Sequence, residues 1–448
     1  MAQESQFTNG LELTPVSGSY AVDAPSPDQQ IDLQAEIEKL RGRVEKMEAS
    51  DKKRKESDEK KKASDATKPT VKWSGELQAD TYFFDQDAAS KAEYGDIENG
   101  TDFRRARIAM LGEYGPTEYR IEMDYAQPGR PTFLDVWAGL KDIPGIGRIR
   151  AGHMFEPFLL DRMTSNRYAW FMERSIVDSA FAPARNTGVA TMNTYADENI
   201  TMAAGVFRSD SDNFGDDVGD NFEDSFTGRL TCLPYYDDQC GDNYMHLGFG
   251  YSFRGANNEQ VRFRSQPESR EGAVTTNVPN FVDTGLISAD YSQLLGFEHA
   301  IVYHSFAWQS EYVMSPVHTQ NFGNVTMQGA YTQASFFLTG EHHPYKKDTG
   351  TSDRVKPLTD FIKYHGNPED ACMQFGPGAW EIAARLSYLD LNNGGVRGGQ
   401  LMDMTIGLNW YLNQYLRITS NYIRAFAESN TGINSTTDVY AMRVHFEF

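Results

Sequence analysis

No stretch of this chain approaches the roughly 18–20 consecutive apolar residues that a membrane-spanning helix needs, and the mean hydropathy is −0.56. A helical membrane protein is excluded. Positive charge is scarce: 42 Lys and Arg stand against 63 Asp and Glu, for a net charge of −21. That excludes nucleic acid as a partner, because phosphate contacts need clustered cations. It leaves ion selectivity open, since rim and pore can carry opposite signs. Only three cysteines occur, Cys232, Cys240 and Cys372, too few for a disulfide scaffold and without paired zinc spacing. Cys232 and Cys240 flank a polar segment and are as well placed to bridge in an oxidising envelope as to stay free, with Cys372 left over. The opening MAQESQFTNG has no basic region followed by an apolar one, so export would require a leader removed upstream.

Enzyme signatures are missing too. There is no P-loop, GxSxG or dinucleotide fingerprint. Glu341, His342 and His343 lack HExxH spacing, and adjacent histidines on a strand diverge rather than converge on one metal. The acidic stretch from Asp210 to Asp224 loosely mimics a calcium loop but fails the template at Phe214 and Asn221. A solvated loop is the better reading. The sequence therefore points to a protein with no catalytic role, cofactor or metal.

Two regions differ in pattern. Residues 1–70 carry few aromatics and end in the charged run DKKRKESDEKKKASDATK, the composition of a tail or tether. Within them Leu33, Ile37, Leu40, Val44 and Met47 form an a/d seam, predicting a short coiled coil; two heptads alone are marginal in water, and fraying or packing on a neighbouring surface is the alternative. From residue 71 to 448 the period becomes two. In YRIEMDYA, Tyr119, Ile121, Met123 and Tyr125 share one face, and Arg120, Glu122 and Asp124 the other. GAWEIAARLSYL sets Trp380, Ile382, Ala384, Leu386 and Tyr388 against Glu381, Arg385 and Ser387. The terminal DVYAMRVHFEF aligns Tyr440, Met442, Val444, Phe446 and Phe448.

Greasy-out, charged-in strands with an aromatic closing strand predict a transmembrane barrel, which low mean hydropathy allows. LMDMTIGLNWYL turns at Asn413-Gln414 into YLRITSNYIRA, a hairpin. Longer connections fall at SDSDNFGDDVGDNFED, after Arg270, and from Tyr345 to Pro377. The expectation is short turns at one end and these long loops at the other.

Several motifs occur in one order: FRRARIAMLGEYGPTEYRIEMDYA, RAGHMFEPFLLDRMTSNRYAWFMERS, FTGRLTCLP, LTGEHHPYKK, GAWEIAARLSYLDL and MTIGLNWYLNQYLRITSNYIRA. From about Trp73 to Phe448 the chain resembles the phosphate-selective porin O and P family. The resemblance implies an all-β, 16-stranded antiparallel outer-membrane barrel, a homotrimer in a lipid and lipopolysaccharide membrane, with infolded loops that build an arginine-lined constriction for small inorganic anions such as phosphate. Residues 1–70 lie outside that resemblance; their functional reading is a periplasmic tail whose short coiled coil helps hold an oligomer.

The resemblance also singles out residues. Arg104 and Arg105 match the family's FRR pair, although neighbours on a strand face opposite ways, so both enter the pore only if the strand is bulged there. Arg162 stands where phosphate-selective members carry a lysine on an infolded loop. VRFRSQPESR keeps Arg262, Arg264 and Arg270 of an arginine-rich loop, but Gln266 interrupts it and Glu268 weakens its field. Glu76 reverses a charge that phosphate-selective members keep positive. Asp135 lies near a family acidic position, with an ion pair to a luminal arginine as the plain alternative. Guanidinium forks suit oxyanions, so an anion channel is expected. A general, cation or sugar-permeable porin of the same fold, or a structural barrel tethered through its coiled coil, is the alternative.

Overall fold

The computed structural model describes residues 68–126, 129–209, 224–256, 258–270, 277–365 and 372–448, with helical stretches at 38–39, 41–43 and 45–47 and at residue 52. Two units separate, Met1–Lys68 and Pro69–Phe448. The first contributes a short helix. Of the seam residues only Met47 is described, and it is exposed; Leu33, Ile37, Leu40 and Val44 lie outside the described residues.

The second unit is an antiparallel barrel of sixteen strands. They are β1 Lys72–Gln86, β2 Gly100–Tyr114, β3 Thr117–Asp124, β4 Thr132–Ile143, β5 Gly147–Phe155, β6 Arg185–Tyr195, β7 Ile200–Arg208 and β8 Asp224–Tyr236. Then follow β9 Asn243–Gly255, β10 Ile287–Tyr303, β11 Phe306–Thr319, β12 Gly323–Phe337, β13 Ala379–Asn393, β14 Val396–Asn413, β15 Leu416–Glu428 and β16 Asn434–Glu447. Each pairs with the next, and β16 pairs with β1 from Glu76↔Glu447 to Gln86↔Thr437. Closure leaves no open edge, as hydrocarbon requires.

The burial pattern inverts that of a water-soluble protein. On β16, Met442 is 48% exposed and Val444 42%, while Arg443 and His445, which alternate with them, are 2% exposed. β3 and β13 show the anticipated faces, with Glu122, Asp124, Glu381, Arg385 and Ser387 buried inward and Ile121, Ile382, Leu386 and Tyr388 exposed outward. Apolar residues outside and charges inside are stable only when lipid is the outer solvent.

The alternation breaks where chain enters the lumen. Residues 156–184, between β5 and β6, hold two short helices, α1 Leu160–Met163 and α2 Ile176–Phe181, and a 3₁₀ turn at Asn166–Tyr168. Phe158, Leu159, Ile176 and Val177 pack on Val313, Met327 and Leu389 of the wall. Inward glycines make room: a Cβ on Gly296 would lie 2.8 Å from Leu159 Cδ2, and one on Gly250 would lie 2.8 Å from Phe158 Cδ2. A second segment, of which residues 258–270 and 277–286 are described, enters from the same end, bringing Phe263, Val278 and Phe281 into that core.

The third long segment corrects an expectation. Residues 338–365 and 372–378 lie at the end that carries Phe448 and the short turns at 115–116, 144–146, 304–305 and 414–415, because β12 runs toward that end and β13 away from it. Long and short connections are thus mixed there. His343 stacks on Trp170 at 4.5 Å and 16°, so this segment meets the first one inside the barrel. The acidic stretch 210–223 lies outside the described residues.

Cys232 and Cys240 are both free thiols, which settles the open choice between bridge and thiols. The side chain of Cys372 is not described.

Candidate functional site

Inside the barrel the first infolded segment runs from β11 to β1 and β16, and backbone groups anchor it. Leu160 N and Asp161 N donate to Glu311 Oε1 at 2.6 and 3.0 Å. Asn409 Nδ2 donates to the Trp170 carbonyl at 2.8 Å, and Arg417 Nη1 to the Ala169 carbonyl at 2.8 Å. Arg443 reaches the Met172 carbonyl, and Arg385 Nη2 the Glu173 carbonyl at 3.0 Å. Luminal side chains of β11, β13, β14, β15 and β16 thereby satisfy peptide groups that would otherwise be buried unpaired.

Arg104 and Arg105 both enter the lumen. The register of β1 against β2 shifts between Gln78↔Arg105 and Ala79↔Phe103, leaving Arg104 as the extra residue of a bulge. A bulge re-aims one side chain, and the two arginines end 7% and 6% exposed. Arg104 forks onto Glu173, with Nε to Oε1 at 2.9 Å and Nη2 to Oε2 at 3.0 Å. Arg105 donates from Nη1 to Gln78 Oε1 at 2.6 Å and lies 3.9 Å from Glu173 through Nη2. Arg443, absent from the sequence-level set, joins them: it forks onto Asp80 at 2.7 and 2.6 Å and reaches Glu173 Oε1 at 2.8 Å. Burial opposes charge on Glu173, but Arg104, Arg105 and Arg443 overcome it and hold this carboxyl well below the usual carboxylate range. Arg270, half-buried on the second infolded segment, feels Arg104 and Glu173 electrostatically.

The other expected arginines lie elsewhere. Arg162 is held inside its own segment by Asp178 at 2.8 Å and by the carbonyls of Asp178 and Ala182, since the tight α1–α2 fold turns its fork back onto the chain. Arg262 pairs with Asp283, and it and Arg264 line a chamber of about 700 Å³ with Arg254 and Phe181. The six candidates therefore divide: Arg104, Arg105 and Arg270 converge, Arg162 is an internal brace, and Arg262 and Arg264 stand apart.

Acidic residues answer the remaining luminal arginines. Glu76 is luminal, as its place in WSGELQAD indicated, and meets Arg107 at 2.9 Å and Arg167 at 3.3 Å. Asp135 takes the plainer of its two readings, an ion pair with Arg185 at 3.2 Å. Glu268, on the second infolded segment, lies against the wall and binds Arg385 of β13 at 2.6 Å. Arg229 pairs with Glu298 at 2.7 Å, and Arg254 with Glu156 at 2.8 Å. At the other end Glu381 accepts from His343 at 2.6 Å and from Tyr411 at 2.9 Å, so His343 turns inward to that carboxylate. Among the described residues one group of potential metal donors gathers, Asp237, Cys240 and Asp242 on an exposed turn. Its Asp242 is engaged by His304 at 2.8 Å.

Sequence reading missed Glu173, Asp80 and Arg443. Period two marks Asp80 and Arg443 as inward, but nothing local says that they meet.

A family model described as phosphate-selective porin O and P matches residues 71–448. By sequence the chain is similar to Porin O of Pseudomonas aeruginosa, 23% identical over 403 residues that cover 82% of this chain and 85% of that one. It is also similar to an uncharacterized protein of Caulobacter vibrioides, 25% identical over 333 residues, covering 72% of this chain and 62% of that one. In fold it resembles OmpT of Vibrio cholerae in its trimer form, an outer membrane protein, with a TM-score of 0.51 at 10% identity over 85% of this chain and 99% of OmpT. That likeness concerns the barrel alone. Because the family match runs from the first strand to the last residue, the chain belongs to the phosphate-selective porin O and P family and is an outer-membrane β-barrel porin.

Proposed function

We propose that this porin is a general diffusion channel for small polar solutes, with the charge of its lumen balanced so that neither sign of ion is strongly preferred. One observation carries the reading: Arg104, Arg107, Arg185, Arg229, Arg254, Arg385 and Arg443 each have a carboxylate within 3.2 Å. A guanidinium already forked onto a carboxylate has spent the donors that would replace an anion's hydration. Strict phosphate selection needs such donors unspent. The chain departs from that pattern at Glu76, Gln266 and Glu268, and two of these, Glu76 and Glu268, are partners in luminal ion pairs.

A second reading, mild anion preference, is favoured by the excess of guanidinium over carboxylate around Glu173. The working unit under either reading is a homotrimer in a lipid and lipopolysaccharide membrane, with residues 1–70 in the periplasm.

The deciding measurement is the reversal potential of the purified porin in a planar bilayer under a KCl gradient. A potential near zero supports the balanced lumen. A strongly chloride-selective current, blocked by added phosphate, would restore the anion channel. No current at all would overturn both readings and leave a structural barrel tethered by its N-terminal region.

A further inference from the structure

We propose that the Glu173 carboxylate is a tethered anion occupying an arginine cradle, and that this one side chain sets the charge preference of the channel. With it neutralised, the cradle would take a free oxyanion such as inorganic phosphate. The inference deepens the channel reading above and rests on it.

Three elements supply the cradle: the β2 bulge with Arg104 and Arg105, β16 with Arg443, and the infolded segment that delivers Glu173. Arg104 grips Glu173 through Nε and Nη2 at 2.9 and 3.0 Å, the two-point fork by which guanidinium also takes phosphate oxygens. Arg443 adds a third donor at 2.8 Å. Donor capacity remains beyond what Glu173 uses: Arg105 Nε has no hydrogen-bond partner although its surroundings are buried, and Gln78 Nε2 beside it has none either. Buried donors are seldom left so. Three guanidiniums face two carboxylates here, Glu173 and Asp80, so positive charge is in excess even with the tether in place.

Glu173 is not needed to hold its segment. The carbonyls of Ala169, Trp170, Met172 and Glu173 itself are each bound by a wall side chain, and the far end hangs on Glu311. What the Glu173 side chain adds is a charge at the place where an anion would sit. Its carboxyl, held below the usual range, keeps that charge at neutral pH.

The test compares the full-length porin with its Glu173→Gln, Glu173→Asp and Arg104→Gln variants in planar bilayers, reading the reversal potential in a KCl gradient and the block by inorganic phosphate. Glu173→Gln keeps shape and removes charge. Its chloride-over-potassium permeability ratio is expected to rise on the order of tenfold, the effect of one unit charge a few ångströms from the ion path, with phosphate block appearing. Glu173→Asp should stay close to wild type, and Arg104→Gln should shift toward potassium; the Arg104 variant keeps the idea testable if Glu173→Gln fails to assemble. A conducting Glu173→Gln porin with unchanged permeability ratio and no phosphate block overturns the inference while leaving the channel reading intact. A silent wild-type protein overturns the channel reading itself.

Discussion

Replacing Arg443 by Met tests whether the luminal network holds the barrel together as well as shaping its pore. Arg443 stands directly opposite Asp80 in the β16–β1 pairing, at the seam where the first and last strands close the barrel, and it also reaches Glu173 and the Met172 carbonyl. Methionine fills much of the same volume but supplies no donor, so Asp80 loses its guanidinium while Glu173 and the Met172 carbonyl each lose one donor with it. Breaking a buried pair from one side costs about 3–5 kcal/mol. With a urea dependence on the order of 3 kcal/mol/M, the unfolding midpoint should fall by roughly 1 M or more. The assay is urea unfolding of the porin refolded into lipid vesicles, followed by tryptophan fluorescence. Asp80→Asn in the same background should recover part of the loss, giving a coupling of about 1–2 kcal/mol between the two sites. An internal control lies in the adjoining β15–β16 pairing: Arg424 and Asp438, 3.8 Å apart and partly exposed on the outer face, should tolerate Arg424→Met at a cost under about 1 kcal/mol. Equal midpoints for Arg443→Met and Arg424→Met, or strict additivity with Asp80→Asn, would refute the argument that burial makes the seam pair matter.

Three further outcomes follow from the same geometry. Glu381→Leu removes the acceptor shared by His343, Asn409 and Tyr411; it should loosen the 338–378 segment and raise single-channel conductance, and unchanged conductance would show that this segment is held by its other contacts. Arg262→Ala with Arg264→Ala should change the reversal potential little, because Arg262 is partly exposed and already paired with Asp283, and exposed pairs are worth about 0–1 kcal/mol; a large loss of anion current would put these residues in the constriction after all. Glu173 has a depressed folded-state pKa, so its stabilising contribution is fully present above the unfolded value and is lost only as pH falls through the folded one. Selectivity should therefore stay flat from neutral pH down through the ordinary carboxylate range, and a step in reversal potential within that range would contradict the tight cradle.

Much of the barrel was legible because its cause is local. Side chains alternate along any strand, and only a barrel reconciles apolar Tyr440, Met442, Val444 and Phe446 outside with Arg443, His445 and Glu447 inside. The Arg104-Arg105 problem was legible in the same way: period two forbids both from entering the lumen, and the bulge at Gln78/Ala79 resolves it. Strand period could not anticipate residues 156–184, where Phe158 and Leu159 point into the lumen because glycines on β9 and β10 leave room for them. Nor does it mark 341–355 as inward-folding, since a polar segment that plugs a lumen and one that extends into water have similar composition.

The sequence by itself determined the class of this protein and which face of each strand meets lipid, for hydrocarbon tolerates only closed sheets with apolar exteriors. What the arginines do was decided by tertiary structure. Asp80 and Arg443 are 363 positions apart and meet only because the barrel closes; Glu173 reaches Arg104 across 69 positions only because its segment folds inward. Whether a luminal guanidinium is free to hold a passing anion depends on which carboxylate the fold sets within about 3 Å of it, at the range where charge-assisted hydrogen bonds form. That distance is a property of closure and infolding, and no local pattern in the chain encodes it.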